Sequence, residues 1–377
     1  MAVPYADCLL LLRMPVGVFL FCAPDAVRAI LSYRLQHAGD AVVTRMIDDE
    51  WRRWIAENLL LEASPEAVHA VLVEHGFERE HALCEIDSTL QSPYFQAGSR
   101  LRNRLRKREW MLSVYGELNR MRSGAACVER RVRLSRDAFY EQFYFQNRPV
   151  IITGMLDSWP ARKLWNLDYF RARCGLAEVE VQFGREADAN YEINQPVLRR
   201  AMRFGDYVDL VESAGVTNDF YMTANNASRN RTALATLWAD APAIGEYLDP
   251  APTDAGYFWF GPAGTKTPFH HDLTNNLMAQ VIGRKRVLLV PFTDTAHMYN
   301  HLHCYSQLDG GAIDAGRFPS FEHAQVIECT LEPGELLFLP IGWWHYVEAL
   351  DVSATMTYTN FIERNDFGRT YSTYREL

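Results

Sequence analysis

Hydrophobic positions recur at two different spacings along this chain, and the change of spacing divides it into two parts. Between about residues 48 and 122 the apolar side chains stand three or four positions apart, as in Trp51, Trp54 and Ile55. This spacing predicts amphipathic helices. The stretch 64–76 begins with serine and proline and ends with glycine, which are the usual residues at the borders of a helix. The first part is therefore predicted to be a helical domain.

Farther along, the apolar residues form short runs typical of β-strands. Residues 149–154 read Pro-Val-Ile-Ile-Thr-Gly, and after residue 255 strand-like segments alternate with turns. That series fits a double-stranded β-helix, a jelly-roll barrel whose inward-facing positions carry the site. We expect a mostly β fold with added helices, with a helical domain over residues 1–125 and a barrel domain over residues 126–377.

Composition narrows the class of protein only a little. Hydrophobic residues make up 48% of the 377 and charged residues 23%, as in ordinary globular proteins. The net charge of -9 argues against a general nucleic-acid-binding protein. Seven scattered cysteines without a Cys-x-x-Cys pair fit reduced thiols, which predicts a cytoplasmic protein.

Two stretches stand out from this average. Residues 8–22 form the only long apolar run, but Arg13 and Pro15 interrupt it and it is too short to span a bilayer. We expect a buried helix or strand there and no membrane segment. Residues 100–136 contain 12 basic and three acidic residues, an excess that fits either an acidic partner or a solvated helix.

The candidate chemistry lies in one His-x-Asp pair and one distant histidine. His270 and Asp272 are two positions apart, so in a β-strand both side chains point to one face while His271 points to the other. His345, in Leu-Pro-Ile-Gly-Trp-Trp-His, can supply a third ligand from a neighbouring strand. Two imidazoles and one carboxylate on one face of an octahedron leave three adjacent positions open, as in non-haem Fe(II) oxygenases.

A His-x-Asp pair alone also occurs in surface strands and at helix N-caps, so the surrounding residues decide its meaning. Lys285 follows Gly283 and opens a β-rich run, which predicts a position at a strand start facing the barrel interior. A buried dicarboxylate would need such a cation, because an unpaired charge in a low-dielectric pocket costs several kcal/mol.

From about residue 135 to 362 the chain resembles the JmjC-type (cupin-like) 2-oxoglutarate oxygenases. Its pattern is similar to that of the asparaginyl hydroxylase that acts on hypoxia-inducible factor and to small JmjC protein hydroxylases. Six segments carry the resemblance: residues 147–154, Ser-Trp-Pro-Ala at 158–161 with Trp165, Phe-Trp-Phe-Gly-Pro at 258–262, the His270 segment, residues 276–285, and residues 331–345.

The resemblance implies a role for each matching residue. His270, Asp272 and His345 would bind Fe(II), and Lys285 would pair with the distal carboxylate of 2-oxoglutarate. Additional polar contacts to the iron and the cosubstrate would come from Thr267, Tyr221, Asn276 and Asn360. The sequence departs from the family at Ile362, where the family has tryptophan.

These expectations combine into a hydroxylase that uses Fe(II), 2-oxoglutarate and O2 to modify an amino-acid side chain of a protein or peptide. The alternatives within the same chemistry are a JmjC lysine demethylase and a tRNA-base hydroxylase. A non-catalytic, metal-holding cupin-like binding module is the alternative from another class, and a metal-dependent hydrolase would not need Lys285. Oligomeric state is left open by the sequence.

An insert between the barrel strands, residues 293–320, adds one more candidate. It contains His297, His301, His303 and Cys304, which are residue types that bind metal but lack a recognised spacing here. A loop that covers the substrate is the alternative interpretation.

Overall fold

A computed structural model describes residues 46–224, 227–251 and 255–371. The chain divides into two compact units, the first ending at Met111 and the second beginning at Leu112. This division falls inside a long helix, and the predicted domain border after residue 125 stays a prediction. The apolar run at residues 8–22 lies outside the described residues. Across the described ranges, we find no helix with the length and apolarity that a membrane crossing requires.

The first unit is helical, as predicted. Its helices are α1 (Asp49–Leu60), α2 (Pro65–Glu74), α3 (Arg79–Gln91) and the beginning of α4 (Pro93–Met121). The hydroxyl of Ser64 caps α2 by accepting a hydrogen bond from the Ala67 N–H at 3.2 Å. Side chains at helical spacing form one buried core, which includes Trp51, Trp54, Ile55, Leu59, Val68, Leu72, Ala82 and Ile86.

The second unit begins with short helices interleaved with strands. The helices are α5 (Arg136–Phe139), continued by a π-helical turn at Tyr140–Tyr144, α6 (Ala161–Leu164), α7 (Leu167–Cys174), α8 (Gln195–Leu198), α9 (Phe204–Ser213) and α10 (Ala227–Ala233). The early strands are β1 (Glu129–Val132), β2 (Val150–Thr153), β3 (Glu178–Phe183), β4 (Arg199–Arg203) and β5 (Phe220–Tyr221).

The later strands build the barrel. They are β6 (Tyr257–Gly261), β7 (Lys266–His271), β8 (Asn276–Ile282), β9 (Lys285–Val290), β10 (Asn300–Leu302), β11 (Tyr305–Ser306), β12 (Ile327–Leu331), β13 (Glu335–Leu339), β14 (Trp344–Ala349) and β15 (Ser353–Tyr358). One six-stranded sheet has the order β1-β2-β13-β8-β15-β6, and the other has the order β10-β11-β7-β14-β9-β12. A small third sheet, β4-β3-β5, accompanies them. The predicted jelly-roll core with added helices is confirmed.

Both faces of the strands β8, β9 and β13 are buried, which explains their nearly continuous apolar runs. In β9, Val287 and Leu289 belong to the core between the two sheets. The alternating residues Leu288 and Val290 pack on the outer side with Trp344. The side-chain period of two therefore assigns each strand residue to the interior or the exterior, and a site built on inward positions is enclosed.

The turn before β9 depends on one glycine. Gly283 has a φ of +68°, and an added Cβ there would collide with the backbone oxygen of Val352. We expect Gly283→Ala to lower the free energy of unfolding by at least about 2 kcal/mol, measured by urea denaturation. Gly215→Ala is the control, because its Cβ meets nothing within 4 Å, and it should change stability by less than about 0.5 kcal/mol. Equal stabilities of the two variants would show that this turn is not strained.

Candidate active site

Two paired strands bring the predicted metal ligands together. Strand β14 runs antiparallel to β7, and His345 stands directly opposite His270. The two imidazole ring centres are 4.1 Å apart. The carboxylate of Asp272 lies 3.7 Å from His270 Nε2 and 4.0 Å from His345 Nε2. Within the described ranges, these three residues are the one group of His, Cys, Asp or Glu whose ligand atoms converge, all within 4.8 Å.

Backbone carbonyls fix both imidazoles in the tautomer that a metal needs. His270 Nδ1 lies 2.9 Å from the carbonyl oxygen of Pro268, and His345 Nδ1 lies 3.0 Å from that of Trp343. Because a carbonyl oxygen can only accept, each Nδ1 carries the proton and donates it. The Nε2 lone pairs are then free to bind a metal, which is the usual arrangement around a metal-bound histidine.

Burial determines the charge of His345, and hydrogen bonds position the carboxylate of Asp272. Desolvation first, and then the proximity of His270, lower the pKa of His345 to about 4, so its ring is neutral at physiological pH. Asp272 lies just beyond the end of β7, where its backbone oxygen accepts from the Gly342 N–H at 3.3 Å. The Asn276 amide donates to the Asp272 carboxylate at 3.1 Å and orients it. These contacts hold the ligand set in place before any metal binds.

A β-bulge in β7 turns Thr267, another predicted site residue, toward the cavity that His270 faces. His345 pairs with His270 and Val347 pairs with Thr267, so three steps of β7 oppose two steps of β14. This bulge breaks the alternation of the strand, and Thr267 and His270 therefore face the same cavity. Pro268 lies within the bulge, where its missing N–H costs no ladder hydrogen bond.

The three candidate ligands line a cavity of about 270 Å³ that is also lined by a buried cation, Lys285. Lys285 opens β9, and its ammonium donates to the Tyr221 hydroxyl at 3.2 Å. Among the described residues no carboxylate lies within ion-pair distance of Lys285, which is only 3% exposed. Desolvation lowers the pKa of Lys285 to about 7. A buried ammonium without a counter-ion indicates a site for an anionic ligand.

Burial raises the pKa of Tyr221, whereas it lowers that of Lys285. The phenol of Tyr221 therefore stays protonated and can donate to an anion. Six of the eight predicted site residues line the cavity: Thr267, His270, Asp272, Asn276, Lys285 and His345. Tyr221 reaches it through Lys285.

Asn360 is placed differently from the other predicted residues. Its side-chain amide donates to the Asp249 carbonyl at 2.8 Å, and the neighbouring Thr359 lines the cavity instead. Its role beside the cosubstrate stays a prediction. Ile362, the position where the resemblance expected tryptophan, packs against the main hydrophobic core.

The cavity wall includes residues that the sequence did not reveal. They are Glu192, Ala224, Tyr257, Trp259, Thr274, Met278, Cys304, Tyr305, Leu339, Val347, Thr357 and Thr359. Tyr257 and Trp259 alternate with the buried Phe258 and Phe260 in β6, and this period of two could have identified them. Glu192 comes from an irregular segment without such a signal. Its carboxylate accepts from the buried Arg185 at 2.9 Å.

The histidine-rich insert contributes to the wall and not to a second metal site. Cys304 and Tyr305 line the cavity, and Tyr305 in β11 pairs with His270. In the described parts of the chain, the insert's histidines and cysteine form no converging ligand group. The alternative interpretation, a loop beside the substrate, fits this position.

With the geometry established, comparison with known proteins identifies the class. Residues 136–366 match the cupin-like domain family. The chain is 30% identical to lysine-specific demethylase 8 of Xenopus tropicalis over 59% of this chain and 50% of the relative. It is 32% identical to lysine-specific demethylase JMJ30 of Arabidopsis thaliana, over 61% of this chain and 54% of the relative. Bifunctional peptidase and (3S)-lysyl hydroxylase JMJD7 of Homo sapiens is 31% identical over 56% of this chain and 76% of the relative.

The chain therefore belongs to the cupin-like family of JmjC oxygenases, whose members depend on Fe(II) and 2-oxoglutarate. It spans about half the length of the two demethylase relatives. The residues present fit both groups. Two free imidazole Nε2 atoms and an oriented carboxylate suit Fe(II), and an uncompensated ammonium beside them suits a dicarboxylate.

The ligand assignment predicts a selective loss of metal binding. We expect Asp272→Ala and His345→Ala to weaken binding of Mn(II), a stand-in for Fe(II), by at least about tenfold, because one of three ligands is lost. Isothermal titration calorimetry measures this, and circular dichroism checks that both variants fold. His323→Ala, which removes a largely exposed histidine outside the triad, should bind Mn(II) like the wild type. Undiminished binding in either triad variant would contradict the assignment.

Proposed function

We propose that this chain is an Fe(II)- and 2-oxoglutarate-dependent oxygenase that hydroxylates an amino-acid side chain of a protein or peptide. The observation that carries the proposal is the presence of the His270, Asp272 and His345 triad and the unpaired Lys285 in one cavity. A metal-holding binding module would need the triad alone. A hydrolase would likewise have no use for a buried ammonium next to an open metal site.

Each part of the reaction has residues to support it. Bound Fe(II) would supply the oxygen chemistry, while the chain holds the metal and the cosubstrate in position and keeps water out. Lys285 and Tyr221 bind the far carboxylate of 2-oxoglutarate. In the balanced reaction, 2-oxoglutarate and O2 give succinate and CO2, with one oxygen atom in succinate and the other in a new C–OH group of the substrate.

The size and lining of the cavity favour a single side chain as the reacting group. Its volume of about 270 Å³ is small for a cosubstrate together with anything larger than one side chain. The aromatic rings of Tyr257, Trp259 and Tyr305 supply wall surface for the carbon part of such a side chain. Relatives named as a lysyl hydroxylase and as lysine demethylases support a protein substrate.

Demethylation of an N-methyl group is the second candidate, because two relatives are named demethylases. The two reactions begin with the same hydroxylation of a C–H bond. They differ in the product, because a hydroxylated N-methyl group breaks down and releases formaldehyde, whereas a hydroxyl on a side-chain carbon remains.

The proposed activity predicts three linked measurements. Anaerobic addition of Fe(II) and 2-oxoglutarate should give a weak visible charge-transfer band, and admission of O2 should yield succinate. Mass spectrometry of host peptides, compared with and without the gene, should then show a gain of one oxygen atom, and formaldehyde release would assign demethylation instead. A folded, iron-loaded protein that gives neither the band nor succinate would refute the oxygenase.

Substitution of Lys285 tests the cosubstrate site separately. Without the ammonium, the far carboxylate is buried unpaired, which costs about 2–5 kcal/mol. We expect Lys285→Ala to weaken the apparent affinity for 2-oxoglutarate by about 30-fold or more. Titration of 2-oxoglutarate, with succinate formation as the readout, measures this affinity. Mn(II) binding should remain, because Lys285 is not a ligand. Equal 2-oxoglutarate affinities of the wild type and Lys285→Ala would show that Lys285 does not bind the cosubstrate.

The lowered pKa of Lys285 adds a pH dependence to the same measurement. The carboxylate pairs with the protonated amine, so above the free protein's pKa of about 7 binding must take up a proton. The affinity for 2-oxoglutarate should therefore fall as pH rises above 7, by up to about tenfold per pH unit. Lys285→Arg is the control, because its guanidinium stays charged. That variant should bind with a partial defect and without this slope.

A further inference from the structure

A second cavity, of about 710 Å³, lies beside the end of α4 in the barrel unit. It shares no lining residue with the cavity of the metal triad. Its apolar wall comes from α4, from the chain after the π-helical turn, from the loops before β10 and β14, and from the start of β12. These elements supply Leu112, Tyr115, Phe145, Phe292, Trp343 and Ile327. The volume lies in the range of small-molecule sites.

The rim of this cavity carries positive charge that the described residues do not balance. Glu129 is the one carboxylate in its lining. That carboxylate accepts from Arg148 at 3.1 Å and from Arg131 at 2.6 Å. The guanidinium of Arg122, also in the lining, has no hydrogen-bond or ion-pair partner in the described parts of the chain. Arg122 is exposed at the rim, and its partial desolvation, followed by the charge of Arg148, lowers its pKa.

We propose that this cavity binds a small amphipathic anion, a carboxylate or sulfonate attached to an acyl or aryl body. The anionic group pairs with Arg122, and the apolar body packs against Tyr115, Phe145 and Trp343. The two halves of the wall favour this combination. An inorganic anion would leave the apolar surface in water, and a neutral apolar ligand would make no use of the exposed guanidinium.

The ligand would also touch the residue that orients a metal ligand. The Trp343 indole N–H donates to the Asn147 side-chain oxygen at 2.8 Å, and the Trp343 carbonyl accepts from His345 Nδ1 at 3.0 Å. Asn147 further donates to the carbonyl of Ile341, in the turn before β14, at 3.0 Å. A ligand stacked on Trp343 therefore contacts the residue whose carbonyl fixes the tautomer of His345.

The test uses the fluorescent probe 8-anilinonaphthalene-1-sulfonate with the folded full chain. We expect one saturable site, competition by decanoate, and much weaker competition by the uncharged 1-decanol. Arg122→Gln should weaken dye affinity by at least about fivefold, which is about 1 kcal/mol for a partly exposed ion pair. Tyr115→Ala should also weaken it, through lost apolar contact.

Two controls separate this cavity from other dye sites. Arg108→Gln removes an exposed arginine of the same helix that does not line the cavity, and it should leave dye affinity unchanged. Lys285→Ala should also leave it unchanged. Loss of dye binding in Lys285→Ala would place the dye in the metal cavity and overturn the proposal. Wild-type affinity in both Arg122→Gln and Tyr115→Ala, or equal competition by 1-decanol, would overturn it as well.

Discussion

The antiparallel pairing of β7 with β14 is the contact on which the rest of the site depends. It places His270 opposite His345 and leaves Asp272 just past the strand end, within reach of both imidazoles. The carbonyls that hold the imidazoles in one tautomer come from Pro268 within β7 and from Trp343, which immediately precedes β14. The positions and the tautomers of the candidate metal ligands thus depend on one ladder of backbone hydrogen bonds, which is more precise than a site built on loops.

Burial of strands such as β9 and β13 on both faces stabilises the barrel that carries this ladder. Leu337 and Leu339 belong to the core between the sheets. Leu336 and Phe338, which alternate with them in β13, belong to the main hydrophobic core on the other face of the strand. An interior filled in this way leaves little room for polar groups. Inward-facing polar residues of β8 and β15 either line the cavity, as Asn276 and Thr357 do, or bond to one another, as the Thr355 hydroxyl does by donating to the Gln280 side-chain oxygen at 2.7 Å. A small polar cavity inside an apolar barrel is the setting in which a buried charge acts most strongly.

Sequence reasoning recovered what depends on strand geometry and missed what depends on tertiary placement. The two-residue spacing of His270 and Asp272 and the turn before Lys285 are local properties, so they could be predicted from the residues. Whether Thr359 or Asn360 faces the cavity depends on how the chain leaves β15, and no pattern in the sequence expresses it. The carboxylate of Glu192 is even less accessible to prediction, because an irregular segment carries it and Arg185 holds it from a different element.

Two buried cations near Tyr221 show which charge is available to a ligand. The centre of the Arg185 guanidinium lies 5.3 Å from the centre of the Tyr221 ring, and Lys285 Nζ lies 5.9 Å from it. Arg185 is fully engaged, because it donates to Glu192 at 2.9 Å and to the Asn218 carbonyl at 3.2 Å. Lys285 has the neutral Tyr221 hydroxyl as its hydrogen-bond partner. Removing Arg185 would leave Glu192 buried without its cation, which is a structural cost, whereas the charge of Lys285 is compensated only when an anion enters the cavity. Arg185, whose charge is neutralised, thus supports the shape of the cavity, and Lys285 is the cation that would select the anion in the proposed function.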